Sequence, residues 1–173
     1  CMWGGESCRF APAKKTAPDA VYTNPVYTQN SNTSITYHEG LYYYLQDTRD
    51  KLLLYVSEDP TDFDGKERHV ICDVPKDYNL HHHWHPQIVP IDGTWYIYFA
   101  ADDGNTDNHQ LYVLENPSPD PTRGKFRMKG RISTDPENNW AIHAHVFPYE
   151  GAWYMAWSGW ETRRIFAETQ CLY

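Results

Sequence analysis

The segment His81-His82-His83-Trp84-His85-Pro86-Gln87 holds four imidazoles in its first five positions and runs on into IVPIDGTWYIYFAADDG. A second pair, His143 and His145, lies in WAIHAHVFPYEG. Along an extended strand, side chains two apart share a face. The spacing therefore predicts one face carrying His81, His83, His85 and Gln87, and another carrying His143 and His145. Neutral imidazoles in that arrangement suit ligation of Zn2+ or Cu2+, hydrogen bonding to sugar hydroxyls, or a wet polar funnel with no ligand. The spacing matches no fixed metal motif, so all three stay open. Trp84, Trp140 and Trp160 stand nearby. Each suits stacking on a sugar ring or packing in a core.

The chain that must position these groups has 173 residues, enough for one domain with a real core. It is 40% hydrophobic, with 14 Tyr, 7 Trp and 6 Phe, which excludes a disordered chain. The net charge is −8 and no basic block occurs, so nucleic acid is excluded as a partner. Aromatics among scattered carboxylates and amides suit neutral sugars. No apolar run reaches membrane-spanning length. Cys1, Cys8, Cys72 and Cys171 permit two disulfides in any of three connectivities, or four free thiols. No signal-peptide pattern precedes Cys1, and an N-terminal Cys is also what a cleaved bacterial lipoprotein shows. Disulfides and a lipoprotein Cys both predict an extracellular or cell-surface location.

Residues 1–30 have little periodicity and several prolines, and read as an extended N-terminal arm. A pattern then repeats three times: SITYHEGLYYYLQDT (34–48), QIVPIDGTWYIYFAA (87–101) and HVFPYEGAWYMAWSG (145–159). Each copy is a strand, an acidic residue with Gly, and an aromatic strand. Glu39-Gly40, Asp92-Gly93 and Glu150-Gly151 are predicted hairpin turns. Further strands follow in LLLYVSED (52–59) and ERHVICDV (67–74), and again in HQLYVLEN (109–116) and KFRMKGRI (125–132). Four strands per repeat is the signature of β-propeller blades. The expected fold is all-β, with blade 1 over about 31–75, blade 2 over about 84–133 and an incomplete blade 3 over about 140–173. Fewer than three blades cannot close a ring, so another chain or self-association is expected to cover the open faces.

NPVYTQNSNTSITYHEGLYYY, WHPQIVPIDGTWYIYFAADDGNTDNHQLYVLE and WAIHAHVFPYEGAWYMAWSGW, with the later QCLY, together cover most of residues 24–173. On these pieces the chain resembles the N-terminal part of a glycoside hydrolase family 43 enzyme. The resemblance implies a five-bladed propeller acting on arabinose- or xylose-containing glycans such as arabinan or xylan. Family chemistry is that of inverting glycosidases, in which one carboxylate activates water and another protonates the leaving oxygen. A third carboxylate orients the acid. The resemblance places the base at Asn32, the Glu of a Trp-Ala-Pro-Glu motif at Gln87, and the orienting Asp at His143. The general acid of the family lies in a later segment. All three aligned axial positions lack a carboxylate, which implies a catalytically impaired protein that still binds glycan.

Under that resemblance, Trp84, His85, Gln87, His145 and Trp160 are the candidate substrate-binding residues, and Asn32 and His143 occupy the catalytic positions. His83, His85, His143 and His145 are the candidate Zn or Cu ligands, and a family-type Ca is a further possibility. Asn32-Thr33-Ser34 is also a glycosylation sequon. Three readings stand: a glycosidase of the arabinofuranosidase, arabinanase or xylosidase kind; a non-catalytic glycan-binding propeller; and an assembly protein whose blades are completed by another chain.

Overall fold

Three acidic-Gly pairs set the architecture. Glu39 and Gly40 have φ of 48° and 89°, Asp92 and Gly93 50° and 78°, and Glu150 and Gly151 46° and 80°. Positive φ at both central residues is the type I′ turn, whose twist matches the flanking strands. Each turn therefore closes a two-residue hairpin: β1 (Thr33–His38) with β2 (Leu41–Asp47), β5 (His81–Ile91) with β6 (Thr94–Asp102), and β9 (Ala141–Tyr149) with β10 (Ala152–Gly159). The structure, a computed structural model, describes residues 32–48, 51–162 and 170–173. The predicted arm over 1–30, with Cys1 and Cys8, lies outside the described residues.

Further antiparallel strands extend each hairpin. β3 (Leu52–Ser57) and β4 (His69–Cys72) complete a first sheet in the order β1-β2-β3-β4. β7 (Gln110–Asn116) and β8 (Arg127–Ile132) complete a second in the order β5-β6-β7-β8. β11 (Cys171–Leu172) makes a third sheet of three strands with β10 and β9. A five-residue helix, α1 (Val74–Tyr78), joins the first two sheets, capped by the Asp73 side chain accepting from Lys76 N. It went unforeseen because one turn containing Pro75 leaves no helical periodicity to read. Tyr78 ties this helix to the second sheet: its hydroxyl donates to Phe126 O at 3.3 Å and accepts from Met128 N at 3.0 Å.

The sheets stack as blades. The first strands lie side by side, β5 packing against both β1 and β9. Leu45, Leu52 and Leu54 of the first sheet bury against Ile88, Ile97 and Phe99 of the second. Ala100 and Leu111 of the second bury against Ala141, Ile142 and Ala144 of the third. Small residues on β9 let the third sheet approach closely. Polar side chains also bridge the blades. The Gln87 amide donates to Val146 O at 3.0 Å and accepts from Val146 N at 2.7 Å. Gln110 donates to Asn138 O at 3.0 Å and Asn139 O at 2.9 Å, and Thr36 donates to Ile88 O at 2.6 Å.

The inter-blade core should dominate stability. Ile97 is fully buried, whereas Val70 is 54% exposed. Ile97→Ala is expected to cost about 2–5 kcal/mol, and Val70→Ala within about 0.5 kcal/mol. Denaturant midpoints measure both; equal losses would contradict the packing.

Candidate functional site

The inner strands are not regular. In β5, His81 pairs with Asp102 and Trp84 with Ala100, so His82 and His83 together oppose Ala101. Trp84 pairs with Ala100 and Gln87 with Tyr98, so His85 and Pro86 together oppose Phe99. In β9, Ile142 pairs with Ser158 and His145 with Ala156, so His143 and Ala144 together oppose Trp157. Two residues against one is a β-bulge. The first residue of each bulge is a histidine in the left-handed region: His82 at φ 45°, His85 at 49° and His143 at 57°. Glycine is the usual occupant of that bulge position, and histidine is among the non-glycine residues that tolerate the region best. Pro86 has no N–H to lose from the ladder, which suits an irregular position.

The bulges overturn the expectation that His81, His83, His85 and Gln87 share one face. Each extra residue resets the alternation, so the side chains have separate destinations. His82 Nδ1 lies 2.9 Å from both oxygens of Asp102. Buried Asp102 also accepts from Gly104 N at 2.8 Å and meets His109 Nδ1 at 3.2 Å. His109 is fully buried, with Nδ1 2.8 Å from Thr106 O and Nε2 2.8 Å from His82 O. Trp84 stacks on the His109 ring at 3.9 Å. Sequence reasoning missed Asp102 and His109; both stand in quoted strand segments, but only the tertiary fold reveals their partners.

His83 turns the other way, into the seam with blade 1. It is buried, and its Nδ1 is 2.5 Å from Asp47 Oδ1. Asn32, just ahead of β1, donates its Nδ2 to Asp47 Oδ2 at 3.4 Å, and Asp47 N donates to Asn32 O at 2.9 Å. Burial raises the Asp47 carboxyl above its usual range, against the lowering pull of His83 and Asn32. Asp47 was also missed; its signal was a carboxylate closing the aromatic strand LYYYLQD. The Asn32 amide nitrogen that a sequon glycan would need is engaged with this carboxylate.

His85 and His143 come together from adjacent blades, their ring centroids 3.5 Å apart. Burial, then the neighbouring His143 and His109 rings, push His85 down to about 4. Desolvation also lowers His143, although this residue is exposed. Both imidazoles are thus neutral near pH 7, and His85 Nδ1 is buried without a partner among the described residues. His145 lies exposed on β9 with its ring 5.9 Å from Phe147. Gln87 is committed to Val146, and Trp160 stacks on Trp140 at 4.6 Å.

The four histidines expected to hold Zn or Cu do not converge. His83 faces Asp47 and His145 lies along Phe147, leaving His85 and His143 as a pair. Among the described residues no group of three or more His, Cys, Asp or Glu side chains is placed to hold a metal ion, and structural zinc uses four ligands. Cys72 and Cys171 are free, and burial, then Asp77 and Asp73, push the Cys72 thiol up to about 12.

The family model of glycosyl hydrolases family 43 matches residues 22–172. The chain belongs to family 43. It is similar to extracellular exo-α-(1→5)-L-arabinofuranosidases, at 31% identity in each case, from Streptomyces avermitilis (85% of this chain and 32% of the relative) and Streptomyces chartreusis (80% and 44%). Among solved structures it resembles the α-L-arabinofuranosidase from Lactobacillus brevis, with a TM-score of 0.73 and 26% identity over 81% of this chain and 47% of that one. The chain therefore spans about a third to a half of the length of these three proteins. The three sheets are blades of the propeller of family 43, and among the described residues two of them have four strands and one has three.

Asn32 stands just ahead of β1, His82 to His85 lie in the first half of β5, and His143 lies near the start of β9. A neutral imidazole donates through one nitrogen and accepts through the other. The His85–His143 pair can therefore bind hydroxyls without carrying charge.

The His85 ring should titrate near pH 4 by NMR, well under its usual 6.5. His143→Ala should raise that value only in part, because burial is the larger cause. The sign for stability follows from linkage. As pH falls from 6.5, the unfolded chain takes up this proton before the folded one, so stability declines until about pH 4 and then levels. Ordinary titration of His85 near 6.5 would contradict the site.

Proposed function

We propose that this chain forms the first blades of a secreted family 43 propeller that binds arabinose- or xylose-containing glycans at the axial end and hydrolyses them slowly or not at all. The observation that carries this reading is the state of the three aligned axial positions. The Asn32 amide is held by Asp47, the Gln87 amide by the backbone of Val146, and His143 is a low-basicity imidazole against His85. None offers a free carboxylate to activate water, and general base catalysis is typically worth about 10²–10⁴-fold. Asp47 is a carboxylate close to the base position, but it is buried and paired. Sugar binding needs no proton transfer, so it survives these substitutions. The extracellular naming of the Streptomyces relatives supports secretion.

Aryl α-L-arabinofuranosides and β-D-xylosides should show little or no turnover. Calorimetry should detect binding of arabino- or xylo-oligosaccharides, weakened about 3- to 10-fold by His143→Ala, the worth of one hydrogen bond of about 0.5–1.5 kcal/mol. Robust turnover lost in His143→Ala or Asp47→Asn would overturn the non-catalytic reading. Absence of binding would overturn the glycan reading.

A second reading, assembly, is favoured by apolar side chains at both ends of the blade array. Phe147, Tyr149, Trp153 and Tyr154 are exposed on the third sheet, and Ile35 and Tyr37 on β1. Contiguous exposed apolar surface of this kind marks an interaction face. Further blades, from another chain or a second copy, would cover it. Light scattering should then report a species larger than the 20.3 kDa chain, and a soluble monomer at high concentration would contradict it.

A further inference from the structure

His109 is fully buried, and both of its ring nitrogens face acceptors. Nδ1 lies 2.8 Å from Thr106 O and 3.2 Å from a carboxylate oxygen of Asp102. Nε2 lies 2.8 Å from His82 O. A backbone carbonyl has no proton to give, so each nitrogen must be the donor. A neutral imidazole has a single N–H and would turn a lone pair on one of these carbonyls. Protonating Asp102 would not relieve this, because Thr106 O would still face Nδ1. Both contacts are made only by a ring that carries a proton on each nitrogen.

The surroundings suit that charge. A buried cation needs a partner, and Asp102, itself buried, supplies the carboxylate. Trp84 lies against the ring at 3.9 Å and 22°, and an indole face attracts a cation. Trp140 meets the ring edge-on at 6.3 Å from the side of the third sheet. The titratable groups nearest to it from β5 are His82, whose ring sits on Asp102, and His85, whose low titration has His109 among its causes. The other carboxylates of the loop are engaged or exposed: Asp103 accepts from Asn105 N and Asn108 Nδ2, and Asp107 lies at the surface.

The place of this ring in the fold gives the charge a consequence. His82 is the left-handed first residue of its bulge, at φ 45°. His109 holds its carbonyl, and Asp102 holds its side chain. The His109 carbonyl in turn accepts from Ala141 N, the first residue of β9, at 3.1 Å. One buried residue thus ties the bulged strand of the second blade to the inner strand of the third. Those are the two strands that bring His85 and His143 together.

We propose that His109 is a positioning residue: a buried imidazolium, paired with Asp102, whose two N–H groups clamp the His82 bulge and so set the axial imidazoles against each other. Loss of either ring proton frees one carbonyl and slackens the bulge. The clamp goes beyond the glycan reading and stands or falls without any sugar present.

The experiment is NMR of the 173-residue chain with its histidines labelled with nitrogen-15. At pH 7 both ring nitrogens of His109 should carry protons. Asp102→Asn keeps the shape of the side chain and removes the countercharge. It should strip one proton from His109 and move the Trp84 indole signal. The Trp95 indole, bonded to Pro119 O, should stay in place as the sign of an intact fold. Should that variant unfold, raising the pH of the unaltered chain until His109 gives up a proton should move the same Trp84 signal. One ring proton on His109 at pH 7, or two retained in folded Asp102→Asn, would overturn the imidazolium. The nuclear Overhauser contact between the His85 and His143 rings should weaken when the proton is lost. Both rings are already neutral at pH 7, so their own titration cannot cause that change. A ring-to-ring contact that is unchanged after the loss would overturn the positioning role.

Discussion

The left-handed backbone at the inner-strand bulges governs the rest of the site. A regular strand would turn alternate histidines of β5 toward the same side, with their intervening neighbours opposite. Bulges after His81, after Trp84 and after Ile142 break that alternation. Each places a histidine at positive φ. For an L-residue the left-handed region costs about 1–2 kcal/mol. Such cost persists only where the surroundings over-determine it, and it concentrates at functional sites. Here it separates three roles. His82 is sent to Asp102, His83 to the seam with Asp47, and His85 to meet His143 from the next blade.

The surroundings that hold the strain are polar bridges and small apolar layers between blades. Gln87 grips both backbone groups of Val146, and Gln110 reaches two carbonyls ahead of β9. Asp102, His109 and Trp84 form a paired and stacked base beneath the bulged strand. These contacts fix the relative height of the second and third blades. A neutral His85–His143 pair is positioned only if that height is fixed, since each ring belongs to a different blade. Gln87, expected to bind substrate, instead belongs to the scaffold between blades, with its amide engaged by the Val146 backbone.

Hairpins, strands and family were legible in the chain because they rest on local rules. Glu39-Gly40, Asp92-Gly93 and Glu150-Gly151 specify turns by themselves, and the aromatic strands beside them alternate or bury as sheets require. The blade order followed from three copies of one pattern. The bulges were not legible, because a bulge is a mismatch between two strands and has no signature in one. Applying strict alternation to HHHWHPQ therefore joined His83 to His85, which the structure parts. Asp47, Asp102 and His109 were overlooked for a related reason. Their importance lies in partners 20 or more residues away or on another blade, and a lone acid at a strand end reads as solvated.

The claim that strained bulges aim the axial histidines is tested most directly by comparing His143→Gly with His143→Ala in equilibrium denaturation. Both variants remove the imidazole, so their difference isolates the backbone. In an ordinary strand Gly is the weaker residue by about 0.5–1 kcal/mol. At a left-handed position the order inverts, because Ala at positive φ is strained. The account predicts that the Gly variant is the more stable by about 1 kcal/mol. A more stable Ala variant would mean that His143 sits in ordinary extended backbone and that the bulge does not set its direction.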